Sequence, residues 1–307
     1  MRHFPPVLVG AVLLLSACGD GSSGGGPDAA GPTLLDPPPP ANGLQLTTPE
    51  YTLQPGEEKY LCFSFRAPAE AANAIIHLQP IDGALVHHKI LVQTAAPSPA
   101  PAYECNTLFD LNWTPVWAAG AGANPLELPA GAGFVLPPSA DLVIQYHLQN
   151  AQDQAITERS AINLTFADDP TMIEPAGVFV VGPASFTIPS GSVDFTLGHE
   201  CTVPLDMNVF AILPHMHKLG TKLEFEHGAT VGTATQLYQI DPWAFGDQPL
   251  APVSATFATG DFMRSTCHWT NRTGGDVTFG ESSDNEMCFS VLFYYPAPAN
   301  APSGCVN

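Results

Sequence analysis

The chain has 307 residues, of which 29 are acidic and 9 are Lys or Arg, and its formal charge at neutral pH is −20. A surface this negative repels phosphate backbones, so we expect no nucleic-acid partner. Only 12% of the residues are charged, and 27 Gly and 32 Pro would interrupt helices, so the composition favours short strands joined by turns.

The first 18 residues have the features of an export signal. Arg2 supplies a positive charge, and residues 7–15 form an apolar stretch that is too short to span a bilayer. The stretch ends in Leu15-Ser-Ala-Cys18, which resembles the cleavage box of bacterial lipoproteins. We therefore expect a lipoprotein signal peptide over residues 1–18, lipidation at Cys18, and a protein anchored to a membrane of the bacterial cell envelope. An ordinary secretory signal, with Cys18 incidental, is the alternative.

Residues 19–45 predict a flexible tether. Gly and Ser make its first part mobile, and the run Pro37–Pro40 favours an extended polyproline conformation. The tether would hold a folded body away from the membrane.

Strand patterns dominate the remaining sequence, and no stretch has helical periodicity over more than two turns. The first set of expected strands covers residues 60–66, 74–78, 84–94, 142–149 and 161–166. The second set covers residues 178–181, 192–197, 207–213, 222–227, 236–240 and 289–295. A polar stretch at residues 167–175 separates the sets. The sequence thus predicts an all-β fold of two tandem antiparallel sandwiches, over residues 46–170 and 171–307.

Three histidines in the first half are candidate metal ligands. His87 and His88 are adjacent in one expected strand, where neighbours normally face opposite ways, so joint ligation needs a bulge, a twist or different ring nitrogens. One core and one surface histidine is the alternative. His147 lies on the more polar face of strand 142–149, which favours a site or an interface over a solvated ring.

The pair His215 and His217 ends an apolar run in the second half. Residues i and i+2 of a strand share a face, so both imidazoles can reach one ion, while Met216 points the other way. Met287 precedes Cys288 and another apolar strand. Packing is the usual role of a single Met, but a thioether that joins two imidazoles suits Cu(I).

Six cysteines remain when Cys18 is set aside. An even number in an exported chain favours disulfides, and the absence of a Cys-x-x-Cys spacing argues against metal binding by thiolates. Sequence alone leaves about fifteen pairings open.

These motifs, taken in order, resemble the type II ascorbate-dependent copper monooxygenases, which include the peptidylglycine alpha-hydroxylating and dopamine beta-monooxygenases. The resemblance covers residues 46–307. It is carried by His87-His88, Gln145-Tyr-His147, Pro214-His-Met-His217 and Glu286-Met-Cys288.

The resemblance implies two consecutive jelly-roll-like sandwiches with one copper ion in each. His87, His88 and His147 would bind an electron-donating copper. His215, His217 and Met287 would form the catalytic centre, where dioxygen reacts. The implied disulfides are Cys62–Cys105, Cys201–Cys305 and Cys267–Cys288.

The family's chemistry is the hydroxylation of a C–H bond in a small organic substrate. It uses dioxygen, two copper ions that cycle between Cu(I) and Cu(II), and a reductant such as ascorbate. Peptide-amidating members use an Arg where this chain has Leu213, and an Asn and a Tyr where it has Phe289 and Val291. Peptidylglycine is therefore disfavoured, and an apolar molecule or an amine is the expected substrate.

Three other functions are consistent with parts of the pattern. An exported copper carrier or storage protein would use the same ligands without consuming oxygen. A structural or adhesive sandwich would leave the histidines incidental. A cupin-like iron or zinc enzyme built around His215 and His217 would need another ligand and would leave Met287 without a role.

Overall fold

The computed structural model describes residues 34–69, 73–96, 98–105, 110 and 112–306. The expected signal peptide, Cys18 and residues 19–33 of the expected tether lie outside these described residues. Strands provide almost all of the regular structure, and one 3-10 turn at Pro170–Met172 is the sole helical element in the described part. Within that part, no helix has the length and apolar character needed to cross a membrane. The predicted all-β fold is confirmed.

Thirteen strands form the first half of the described chain. They are β1 (Gly43–Thr47), β2 (Tyr51–Leu53), β3 (Glu58–Arg66), β4 (Asn73–Ile81), β5 (Val86–Thr94), β6 (Ala102–Glu104), β7 (Trp113–Gly120), β8 (Leu126–Glu127), β9 (Ala132–Leu136), β10 (Asp141–Gln149), β11 (Ile156–Glu158), β12 (Ala161–Phe166) and β13 (Glu174–Pro175). One sheet has the order β1-β12-β4-β9-β13, with β8 beside β4, and a second has the order β6-β3-β10-β5-β7. Strands β2 and β11 form a separate pair.

The two larger sheets of this half pack face to face. Ile75 and Leu164 from the first sheet share one apolar cluster with Phe63, Leu91 and Ile144 from the second. Alternation explains the arrangement, because every second residue of each strand faces the partner sheet.

Eleven strands form the second half. They are β14 (Gly177–Gly182), β15 (Thr187–Ile188), β16 (Phe195–Thr202), β17 (Met207–Met216), β18 (Gly220–Gly228), β19 (Thr235–Ile240), β20 (Ala251–Phe257), β21 (Phe262–Trp269), β22 (Val277–Thr278), β23 (Cys288–Tyr295) and β24 (Gly304–Val306). A sheet of order β20-β17-β23-β14-β24 packs on a sheet of order β16-β21-β18-β19, with Val209, Leu292, Phe225 and Met263 in the shared core.

The opposite face of strands β14, β17 and β23 packs against the first half. Leu213, Val291 and Phe293 belong to the same apolar cluster as Trp117 and Phe134. The apolar core is therefore continuous between the halves, and the candidate site lies along this junction.

The three disulfides implied by the resemblance are present. Their S–S distances are 2.04 Å for Cys62–Cys105, 2.03 Å for Cys201–Cys305 and 2.10 Å for Cys267–Cys288.

The expected strand at residues 192–197 was misplaced. Strand β16 starts at Phe195 because Asp194, with a φ of 53°, ends a preceding turn in the left-handed region. Strands β7, β20 and β21 were not predicted. The first two contain Pro, which weakens a strand pattern, and the third places Arg264 and His268 among its alternating residues.

Candidate metal centre

A β-bulge in strand β5 brings the first three histidines together. His147 of β10 pairs with His88, but the next pair is Leu148 with Val86, so His87 is an extra residue in the ladder. A bulge lets two successive side chains lie near one partner, which a regular strand forbids. A bulge is one of the three arrangements that would allow His87 and His88 to bind one ion together.

The three imidazoles form a compact, buried group. The ring centroids of His87 and His147 are 5.3 Å apart, and those of His88 and His147 are 4.7 Å apart. One nitrogen from each of the three rings lies within 4.8 Å of the others. His147 is fully buried, which excludes the solvated ring that the sequence left open. Ligand atoms at these separations can converge on one ion.

Glu58 of strand β3 fixes the orientation of His147. Its carboxylate lies 2.7 Å from His147 Nε2, and this hydrogen bond is the main reason that the pKa of Glu58 is lowered to about 2. An ionised carboxylate only accepts, so the ring proton lies on Nε2 and the lone pair on Nδ1. His147 Nδ1 faces His88 Nδ1 at 3.3 Å, and Tyr60 stacks on the His147 ring at 4.2 Å.

The second pair of imidazoles presents matching nitrogens. His215 Nδ1 lies 2.8 Å from Gln248 Oε1, and His217 Nδ1 lies 3.1 Å from the carbonyl oxygen of Asn285. Both partners are acceptors, so both rings carry the proton on Nδ1 and keep a lone pair on Nε2. His217 Nε2 is buried without a hydrogen-bond partner among the described residues. A buried imidazole nitrogen without a partner is the state that a bound metal would complete.

Burial keeps four of these rings neutral. It lowers the pKa of His87 to about 3, of His215 to about 4 and of His217 to about 2, and it lowers that of His88 well below the ordinary value of 6.5. Neighbouring imidazoles lower each of these pKa values further. Neutral imidazole is the form that ligates metals.

Strand register places Met287 beside the histidine pair. In the β17–β23 ladder, His215 pairs with Phe289 and the last pair is Met216 with Cys288, so His217 and Met287 are the first residues beyond the paired segment. Met287 is 2% exposed and packs in the apolar cluster that contains Leu213 and Phe289. Its role as a ligand stays a prediction.

A buried carboxylate ties this segment to the histidine pair. Glu286 accepts hydrogen bonds from the backbone N–H groups of His217 and Leu219 and from Trp269 Nε1, at 3.0, 2.6 and 2.9 Å. Burial raises its pKa to about 7, while these donors lower it. The Cys267–Cys288 disulfide lies directly after Met287. Both features restrict the position of the Met287 backbone.

The two histidine sets lie against each other. The ring centroids of His88 and His215 are only 5.1 Å apart, with the rings nearly perpendicular. The resemblance implies one copper in each sandwich, and the structure places both sets of candidate histidine ligands at the junction of the halves. The five imidazoles therefore form one continuous group.

The other described histidines have ordinary partners. His77 pairs with Glu127, His227 with Asp261, and His268 with Asp194 and Glu224. His199 lies 3.1 Å from the carbonyl oxygen of Cys305, and the neighbouring sulfurs are committed to a disulfide. His3 lies outside the described residues. These rings are not candidate ligands.

Comparison with known proteins places these residues in a family context. Residues 174–307 match the family model for the C-terminal domain of copper type II ascorbate-dependent monooxygenase. The second half of the chain is therefore similar to the C-terminal domain of the copper type II ascorbate-dependent monooxygenases. Its expected ligands His215, His217 and Met287 all lie inside the matched region.

Several monooxygenases have sequences that are distantly similar to this chain. Human DBH-like monooxygenase protein 1 is 25% identical over 77% of this chain and 44% of its own length. Peptidyl-glycine alpha-amidating monooxygenase A of Xenopus laevis is 27% identical over 80% and 27%, and tyramine beta-hydroxylase of Caenorhabditis briggsae is 26% identical over 59% and 33%. The chain thus spans less than half the length of these relatives. A solved structure of the infectious bursal disease virus VP2 subviral particle aligns with 85% of this chain and 73% of its own, with 10% identity and a TM-score of only 0.23.

A cavity of about 290 Å³ opens beside the two histidine sets. One imidazole from each set, His88 and His215, contributes to its wall. Most of the remaining wall is aliphatic or aromatic and comes from both halves, namely Ile90, Val92, Trp113, Pro115, Ala118, Val178, Val180, Leu213, Phe289 and Val291. The cavity has room for roughly ten water-sized groups.

Sequence reasoning missed three residues of the site. Glu58, Gln248 and the carbonyl group of Asn285 each set the proton position of one imidazole. They lie 33 to 89 residues from their histidines along the chain. No local motif in the sequence signals these contacts.

Proposed function

We propose that this protein is a copper-dependent monooxygenase that hydroxylates a C–H bond of a small apolar molecule. It would use dioxygen and an external one-electron reductant such as ascorbate. The observation that carries the proposal is the apolar cavity whose wall includes His88 from one candidate centre and His215 from the other. The match of residues 174–307 to the monooxygenase family model supports the same activity.

The donor atoms fit copper. Buried neutral imidazoles suit both oxidation states of copper, and a thioether from Met287 suits Cu(I). Zinc ordinarily takes imidazole, thiolate or carboxylate, and the six described cysteines are in disulfides. Two copper ions, held by His87, His88 and His147 and by His215, His217 and Met287, would supply the single-electron steps that dioxygen chemistry needs.

The protein's own residues prepare this chemistry. Gln248 and Asn285 hold the protons of His215 and His217 on Nδ1, so both Nε2 lone pairs are available. Glu58 accepts the proton on His147 Nε2, so in this ring Nδ1 is the nitrogen that is available. The apolar wall would exclude water and orient the substrate beside the second centre. In the overall reaction one oxygen atom enters the C–H bond, the other leaves as water, and the reductant supplies two electrons.

The cavity favours an uncharged substrate. Leu213, Phe289 and Val291 all line it, and none can bind a carboxylate. Two charged residues are also in the wall. Lys89 Nζ is engaged by Asp82 and by the carbonyl oxygen of Gly120, and Asp110 accepts hydrogen bonds from Asn112. Because the Lys89 charge is paired with Asp82 and most of the wall is apolar, we propose an apolar substrate over an amine.

Metal analysis combined with turnover tests the proposal. The protein should bind two copper ions after dialysis against a weak chelator, and Met287→Ala should bind one. With ascorbate, oxygen uptake and hydroxylated product should be greatest for ethylbenzene, lower for phenethylamine, and lowest for phenylacetate and a glycine-extended peptide. Leu213→Arg should weaken ethylbenzene turnover, while the matched Leu213→Met should preserve it. Copper binding without oxygen uptake would instead support a carrier or storage protein.

We further propose that the protein is anchored at the bacterial cell envelope through lipidated Cys18. The apolar stretch that ends at Cys18 supports the anchor, and three disulfides suit an oxidising compartment outside the cytoplasm. In cells fed labelled palmitate, the wild-type protein should carry label in the membrane fraction. Cys18→Ser should carry none, and labelled Cys18→Ser protein would contradict the anchor.

A further inference from the structure

A loop of the second half inserts two side chains between the histidine sets. Residues 241–250 connect strands β19 and β20. The Phe245 ring lies 3.9 Å from the ring centroid of His87, and Gln248 is fully buried. Trp243 Nε1 donates to the carbonyl oxygen of His217 at 3.1 Å. This loop therefore contacts ligands of both candidate centres.

The orientation of the Gln248 amide follows from its neighbours. Gln248 Nε2 lies 3.0 Å from the carbonyl oxygen of Phe245, which can only accept, so the nitrogen is correctly placed on that side. The amide oxygen then faces His215 Nδ1 at 2.8 Å and accepts its proton. Gln248 thus holds His215 with its Nε2 lone pair free for a metal.

The same amide has the opposite effect on His87. Gln248 Nε2 lies 3.1 Å from His87 Nε2, and an amide nitrogen is only a donor, so His87 Nε2 must accept. The His87 lone pair is then engaged by Gln248. In a neutral imidazole the accepting nitrogen is also the one that binds a metal, because the other nitrogen carries the proton.

The close approach of Gln248 to the first half depends on a glycine. A Cβ atom at Gly120 would lie 2.4 Å from Gln248 Cβ and 2.7 Å from its carbonyl oxygen. Gly120 pairs with His88 in the β5–β7 ladder. Gln248 is therefore seated beside the first histidine set by packing as well as by hydrogen bonds.

We propose that Gln248 is a positioning residue that couples the two centres and sets their order of filling. It holds His215 ready for a metal and occupies the metal-binding lone pair of His87. The second centre should therefore bind its ion more readily. The first centre should reach full ligation only when His87 leaves Gln248. This inference rests on the proposed function, because it assumes that both histidine sets bind copper.

Copper affinity measured at one centre at a time tests the coupling. His217→Ala isolates the first centre and His88→Ala isolates the second, and each is titrated with Cu(I) against a competing chelator. Gln248→Met keeps the length of the side chain and removes both hydrogen bonds. Loss of one such bond should weaken the second centre about fivefold and tighten the first by a similar factor.

Two further variants separate positioning from packing. Gln248→Glu still accepts from His215 but cannot donate to His87, so it should restore the second centre. Gln239→Met, at an exposed position of β19, should change neither affinity. Thermal unfolding in chelator checks that each variant is folded.

The outcomes distinguish this inference from the proposed function. If Gln248→Met weakens both centres together, or changes neither, Gln248 does not couple them and the inference is wrong. If the wild-type protein binds no copper, the proposed function fails and this inference fails with it. Two bound copper ions with opposite changes at the two centres would support the coupling.

Discussion

Acidification should destabilise the metal-free protein over a range set by its buried histidines. Burial lowers the pKa values of His87, His88, His215 and His217 well below 6.5 in the folded protein. The unfolded chain takes up these protons as the pH falls through about 6.5, and the folded protein does not. The free energy of unfolding should therefore decrease as the pH falls below that value and be unaffected above it.

The size of the effect follows from proton linkage. Between about pH 7 and pH 5.5, each histidine that stays neutral on folding lowers the free energy of unfolding by about 1.2 kcal/mol. The four together lower it by about 5 kcal/mol, which Glu286, with its pKa raised to about 7 in the folded protein, offsets by about 1.5 kcal/mol. The net loss is a substantial part of the whole stability of a typical domain, about 5–15 kcal/mol.

Urea unfolding of chelator-treated protein, with its disulfides intact, measures this loss. His217→Asn should remove one of the four titrating rings and recover about 1.2 kcal/mol of the decrease. At about pH 8 no ring is protonated in either state, so the difference in unfolding free energy between His217→Asn and the wild type at that pH measures lost packing alone. A free energy of unfolding that is flat down to about pH 5.5, or an unchanged loss in His217→Asn, would refute the reasoning.

Three other changes test the supports of the candidate centres. Replacing Cys267 and Cys288 by Ser opens a disulfide with a sequence separation of 21, and thermal unfolding should show a loss of about 2–4 kcal/mol. Gly120→Ala drives a Cβ atom into Gln248, and denaturant unfolding should show a cost of about 1–3 kcal/mol. Glu58→Gln removes the charged acceptor of His147. Copper titration should then show about tenfold weaker binding at the first centre and little change at the second.

The strands that carry the ligands were predictable because their patterns are local. Alternation located β10 and β17 closely, and the spacing of His215 and His217 follows directly from the two-residue period of a strand. The disulfide pairing was not accessible from spacing, and it came from the family resemblance. The bulge at His87 was required for joint ligation but could not be located from the sequence, because it depends on the register of β5 against β10.

The supporting residues were not predictable, for a physical reason. Glu58 contacts His147 at a separation of 89 residues, and Gln248 contacts His87 at 161. A Glu or a Gln in a polar strand or loop is common, and its value as a hydrogen-bond partner arises only when folding removes water from around it. Sequence therefore identified the candidate ligands and left out the groups that set their protons.

The contacts of Glu58 and Gln248 also explain why the site lies at the junction of the halves. Glu58 accepts from the backbone N–H and hydroxyl groups of Ser283 while it holds His147, so one carboxylate orients a ligand of the first set and ties down the segment that leads to Met287. Gln248 makes the converse link from the second half to His87. Glu58 thus links the first half to the segment before Met287, and Gln248 links the second half to a histidine of the first. Separation of the halves would leave these buried polar groups without their partners, and a buried group without a partner lowers the stability of the fold. The same packing that joins the apolar core therefore also determines which imidazole nitrogens are free to bind a metal.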